Sequence, residues 1–166
     1  MPTIELTTTI NAPIERCFDL SRSIELHKHS TAGTEEEAIA GVTSGLIGHG
    51  EHVTWRARHF GIVQTLTSKI TQFERPHHFR DEMTEGIFKM ICHDHLFESQ
   101  GKQITVMKDV FRFESPGGLF GALFNKIMLE DYLRNFIVRR NQIIKTVAES
   151  NDWRAILTST HDSSHN

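Results

Sequence analysis

The sequence is short of the features that would assign it quickly. Two cysteines among 166 residues, Cys17 and Cys92, are too few for a disulfide scaffold, so reduced thiols are expected. Basic residues number 18 against 21 acidic ones, a formal charge of −3. They gather into no stripe, and a nucleic-acid partner is not expected. No apolar run approaches the ~20 residues of a membrane helix. The first residues, Met1-Pro2-Thr3-Ile4-Glu5, carry neither the basic region nor the apolar stretch of a secretory leader, and the expected location is cytoplasmic. Also missing are the Gly-x-Ser-x-Gly elbow, the Walker-type phosphate loop and the helical His-Glu-x-x-His zinc signature. Gly45-Leu46-Ile47-Gly48-His49-Gly50 has the glycines of a phosphate loop without its lysine and helix, and reads as a turn or flap. With no internal repeat and no linker, the chain is expected to form one domain over 1–149, followed by a polar, partly disordered tail over 150–166.

What the sequence does have is periodicity. From Leu119 to Ala148 apolar residues recur in adjacent pairs one helical turn apart, with Lys126, Glu130, Asp131, Arg134, Arg140 and Lys145 between them. That predicts an amphipathic helix of roughly 45 Å, whose wide apolar stripe must be buried against something. Upstream, Ile4 to Ile10 alternates as a first strand, and Asn11-Ala12-Pro13 opens a short helix with Ile14, Cys17 and Phe18 inward. A second short helix capped by Ser21 is expected to carry Ile24 and Leu26, with a loop over His27–Gly33. Strands are expected at Glu35–Ala40, His52–His59, Ile62–Phe73 and around Phe79–Met83. A last hairpin pairs Lys89–Phe97 with Gln103–Glu114. Antiparallel strands with segregated helices define an α+β fold.

This layout resembles the START-like, or SRPBCC, superfamily of polyketide cyclases/dehydrases, lipid-transfer domains and plant ligand-binding proteins. Four segments carry the resemblance. Asn11-Ala12-Pro13-Ile14-Glu15-Arg16-Cys17-Phe18 looks like its strand-to-helix junction. Ile70 to Pro76 with Phe79-Arg80-Asp81 looks like its strand-turn-strand signature. His93-Asp94-His95-Leu96-Phe97 with Thr105 to Asp109 resembles its terminal hairpin, and Ser115-Pro116-Gly117-Gly118-Leu119-Phe120-Gly121 its hinge before the last helix. The resemblance implies a helix-grip fold, a curved sheet of about seven strands wrapped around the C-terminal helix after two short helices. It also implies a cavity between sheet and helix, and a small hydrophobic ligand such as a lipid, a polyketide-like or an aromatic molecule.

Strand parity and helix phase supply the expected lining. From the strands these are Trp55, His59, Leu66, Phe79, Asp81, Met83, Ile91, His93, His95, Met107, Asp109 and Phe111. From the helix they are Phe124, Met128, Tyr132 and Phe136. The bland alternative is that these side chains simply fill the core. His93 and His95 share one strand face, and hairpin pairing brings Asp109 within reach of them. Three uses compete: a self-satisfied polar cluster, recognition of a ligand's polar end, and acid–base catalysis by His93, His95 or Asp109 in a cyclase/dehydratase-type reaction. A protein-interaction module of the co-chaperone kind is a further alternative, and would need an exposed apolar patch and a filled interior. Two histidines and a carboxylate could hold zinc or iron, but His-x-His alone is a weak signal and the residues that bind iron in ring-hydroxylase relatives sit on an insertion this chain lacks. No metal and no cofactor are expected. Oligomeric state cannot be read from the residues.

Overall fold

The computed structural model describes residues 1–59, 61–115 and 126–158. Seven strands form one antiparallel sheet in the order β1-β7-β6-β5-β4-β3-β2. They are β1 Thr3–Ile10, β2 Glu37–Gly41, β3 His52–His59, β4 Ile62–Glu74, β5 His78–Glu85, β6 Met90–Ser99 and β7 Thr105–Glu114. Helices α1 (Ile14–Ser21) and α2 (Ile24–Ser30) follow β1, and a single 3-10 turn spans Ala32–Thr34. The long helix α3 covers Lys126–Glu149, and α4 covers Trp153–Thr158. The α+β helix-grip architecture expected from the sequence is therefore present. Register shifts between Ala38 and Ala40, between Thr67 and Ser68, and between Ile70 and Gln72 bend the sheet, as bulges do.

Apolar periodicity sets both faces of the grip. One buried cluster joins Ile10 of β1, Cys17, Phe18 and Leu20 of α1, and Ile144, Val147 and Ala148 of α3. A second joins Ile4, Ile91, Phe111 and Phe113 of the sheet to Leu129 and Ile137 of α3. Phe18 anchors the first, meeting Phe73, Phe79 and Phe97 edge-on at 5.3–5.4 Å, a geometry that aromatic quadrupoles favour. At the far end of α3, Lys145 Nζ donates to Thr9 O at 2.7 Å and Asn11 N donates to Glu149 Oε1 at 2.8 Å.

Two local expectations need correction, and the tail carries a short helix. The cap of α2 is Ser23, not Ser21, accepting from Leu26 N at 3.2 Å. The loop expected over His27–Gly33 is helical to Ser30. Leu26 is buried, His27, Lys28 and His29 occupy the last turn, where cationic side chains suit the helix dipole, and Ser30 and Thr31 hydroxyls close it on His27 O. Within the tail expected to be partly disordered, α4 forms and sets Trp153, Ile156 and Leu157 against the first cluster, with Arg16 4.2 Å above the Trp153 ring. The Gly117–Gly121 hinge and Phe120 lie outside the described residues, as does the end of the tail from Ser159. No helix among the described residues is long and apolar enough to cross a membrane.

Candidate functional site

Between the two clusters, sheet and helix part to leave a cavity of about 220 Å3. Its walls follow strand parity: Val53, Trp55, Ala57 and His59 from β3, Gln64, Leu66, Ser68 and Ile70 from β4, Phe79 and Asp81 from β5, Ile91, His93 and His95 from β6, and Phe111 from β7. Helix α3 adds Leu129, Tyr132, Leu133, Phe136, Ile137 and Arg140, and α2 and its surroundings add Ser21, Ser23, His27, Glu36 and Ile47.

The sequence-predicted lining divides accordingly. Trp55, His59, Leu66, Phe79, Asp81, Ile91, His93, His95, Phe111, Tyr132 and Phe136 border the cavity. Four residues do not. Met128 is 54% exposed because the helix phase centres on Leu129, its neighbour, which takes the inward position. Met107 is fully buried beyond the cavity wall, 3.5 Å from Ser21 Oγ. Met83 packs into the second cluster and against Gly86. Asp109 is also fully buried and does not reach the cavity. Phe124 lies outside the described residues.

Asp109 nonetheless organises the polar wall. An ionised carboxylate can only accept, so His93 Nε2–H donates to Asp109 Oδ1 at 2.8 Å and Asn141 Nδ2 to Oδ2 at 2.6 Å. His95 Nε2–H donates to Asp81 Oδ2 at 2.9 Å. His95 Nδ1 stands 3.0 Å from Asp109 Oδ1 but off the line of a ring N–H, so that approach is a charge contact without a directed hydrogen bond. Arg140, buried on α3, donates to Ser21 O at 2.7 Å and lies 3.8 Å from Asp109 Oδ1.

These contacts set the direction in which each group's pKa moves. Burial alone would push the Asp109 carboxyl up, but hydrogen bonding from His93 and the nearby His95 outweigh it and hold it well below the usual range. Burial likewise opposes charge on His95, yet Asp109 and Asp81 flank its ring and raise it above an ordinary imidazole. Burial and then the neighbouring His95 charge lower His93. Two carboxylates thus flank the His95 ring, the Arg140 guanidinium lies beside Asp109, and His93 is held toward its neutral form. Phe79 stacks on the His95 ring at 4.2 Å, a favourable seat for a cation. Among the described residues, Asp81 Oδ1 takes no hydrogen bond, and the side chain is 25% exposed toward the cavity.

Asp81, His93 and His95 also bring three potential metal-ligand atoms within 4.8 Å of one another. The count suits zinc or iron, although both histidine Nε2 atoms are already engaged with carboxylates.

Sequence reasoning missed Arg140, Glu36 and His27. Arg140 reads as one of the intervening polar positions, yet it lies three residues after Ile137 and four before Ile144, squarely within the apolar phase, and that signal was available. Glu36 and His27 gave none, because only the folded chain brings the segment before β2 onto α2.

No protein-family model and no curated protein sequence matches this chain. Solved structures do. A START superfamily protein from Mycobacterium smegmatis superposes with a TM-score of 0.69 at 9% identity, covering 89% of this chain and 97% of that one. The Zhui aromatase/cyclase from Streptomyces sp. R1128 gives 0.68 at 19% identity, covering 89% and 93%. Ginseng major latex-like protein 151 from Panax ginseng gives 0.64 at 15%, covering 90% and 98%. At these identities the likeness is one of fold, and this chain carries the START-type helix-grip fold.

Proposed function

We propose that this protein binds a compact, largely apolar small molecule in the cavity between sheet and α3, with a hydrogen-bond donor of the guest on Asp81. The observation that carries the reading is an apolar hollow of about 220 Å3 with one carboxylate oxygen left over at its wall. An apolar cavity of about 150 Å3 holds benzene, and drug-sized pockets start near 300 Å3, so a guest of about two fused rings suits this space better than a long acyl chain. Burial at about 25 cal/mol per Å2 supplies most of the affinity, and the His93/His95/Asp109 group holds Asp81 in place and charged. An open interior argues against an interaction module, which needs a filled one.

The test has two arms. Native mass spectrometry of the protein from its own cells reads any co-purifying small molecule and any metal. Thermal unfolding with 2-naphthol and with its methyl ether, which has the same rings and no donor, reads the Asp81 contact. Stabilisation should follow mass action, stronger with 2-naphthol, and the difference should vanish in Asp81→Asn. No co-purifying molecule and no stabilisation by either compound would refute binding.

The same groups favour a second reading, an acid–base enzyme of the cyclase/dehydratase kind. An imidazole bonded to a cavity-facing carboxylate is a competent proton-transfer pair. One structural neighbour is named an aromatase/cyclase. Turnover of a polyketide-like substrate that His95→Gln abolishes while 2-naphthol still binds would establish this reading over a carrier.

A further inference from the structure

A second polar cluster on the same cavity has no part in the reading above. Glu36, with its side chain only 6% exposed, accepts from His27 Nε2–H at 2.7 Å. His59 Nδ1 pairs with Tyr132 Oη at 2.7 Å, and His59 Nε2 stands 3.7 Å from Glu36 Oε1. All four residues border the cavity, and His27 is held flat on Trp55 at 4.3 Å.

The 3.7 Å separation is the informative one. It is too long for a hydrogen bond, yet an oxygen set to one side can reach both atoms at bonding distance. The charges select what that oxygen must be. Burial opposes ionisation of Glu36, but the His27 hydrogen bond and the nearby histidines outweigh it and keep the carboxyl low. Burial lowers His59 and keeps it neutral. In the tautomer in which Tyr132 O–H donates to Nδ1, the neutral ring carries its proton on Nε2, facing the gap. A hydroxyl placed there donates to Glu36 and accepts from His59.

We infer that Glu36 and His59 form a second polar subsite that takes a hydroxyl of the guest, so that the ligand is a compact ring compound hydroxylated at both ends. The inference rests on the proposed binding function. Tyr132 and Arg140, which meet the two clusters, lie eight residues apart on α3, roughly 12 Å of helix rise. The two clusters thus meet α3 about two helical turns apart, and a guest that reaches both needs a hydroxyl at each end.

The experiment compares 2,6-dihydroxynaphthalene, 2-naphthol and 6-methoxy-2-naphthol by calorimetric titration of the full chain. The diol should bind about tenfold tighter than 2-naphthol, as one hydrogen bond to a charged group allows. Capping the second hydroxyl as the methoxy compound should erase the gain in the unaltered protein, a result that needs no variant. Glu36→Gln and His59→Phe should each bring the diol-to-naphthol ratio near one. Equal binding of diol and mono-ol by the unaltered protein overturns the subsite and leaves the cavity reading standing. A diol preference that survives both variants also overturns it, and failure of all three compounds to bind overturns both.

Discussion

Replacing Ala57 by leucine tests the hollow by the sign of its effect. Ala57 is 7% exposed on β3 with its side chain at the cavity wall. Leucine adds three carbons, worth about 0.8 kcal/mol each when buried, less about 0.5–1 kcal/mol of rotamer entropy. If the space is open, the variant gains about 1.5 kcal/mol. If side chains already fill it, overpacking costs about 1–3 kcal/mol. For a chain of this size the gain corresponds to a melting shift of about +3 to +6 °C. Equilibrium urea unfolding of ligand-free protein, followed by far-UV circular dichroism, measures it. Ala148→Leu is the control: that position is fully buried in the cluster beside α1 and away from the cavity, so it must lose stability. Filling the hollow should also weaken 2-naphthol binding at least tenfold. A destabilised Ala57→Leu with undiminished 2-naphthol affinity would refute the reasoning.

Asp94 gives a pH prediction. Burial opposes its ionisation, but hydrogen bonds from Arg80 and His78 bring its pKa from an ordinary 3.8 to about 2. Because the folded value is the lower one, the stabilisation is complete above about pH 4 and is lost as pH falls toward 2. It amounts to about 2 kcal/mol, and Asp94→Asn should forfeit it at pH 7 while flattening the acid limb of a urea-unfolding series. Arg140→Met removes the buried guanidinium that faces the Asp81/Asp109 pair. It should cost about 3–5 kcal/mol, and adding Asp109→Asn should recover part of that in a double-mutant cycle. Gly41 has φ +73°, and a Cβ there would lie 2.2 Å from His52 O. Gly41→Ala should therefore cost clearly more than the about 1–2 kcal/mol of left-handed strain alone, which is all that Gly61→Ala, in open space at φ +76°, should show in the same unfolding assay.

Much of this fold was legible because alternation and helical phase are local signals. The strand expected over His52–His59 has those very limits, and Gln64, Leu66, Ser68 and Ile70 share the inner face as their parity required. The polar run His27–Ser30 hid a helix because its stability comes from buried Leu26 and a side-chain cap. Adjacent apolar pairs such as Ile127/Met128 leave the helix phase uncertain by one residue, about 100° of rotation, enough to turn Met128 outward. For Asp109, parity gave the correct face, but it pairs directly with His95 in register, so its carboxylate meets the histidines and stays out of the cavity. Periodicity sets direction, and depth comes from what lies in front.

Asp94 and Asp81 differ in how fully their oxygens are used. They sit on opposite faces of the same sheet. Asp94 receives Arg80, Arg112 and His78 and gives each of its oxygens a donor; a brace needs no more. Asp81 has one oxygen on His95 and the other without a hydrogen bond at the cavity wall, and against the pull of burial His95, His93 and Arg140 hold its carboxyl low. Stability does not explain that expense, since exchanging such buried ion sets for apolar side chains is often neutral or stabilising. The proposed guest accounts for it, because a donor entering the cavity would satisfy the oxygen that His95 leaves open.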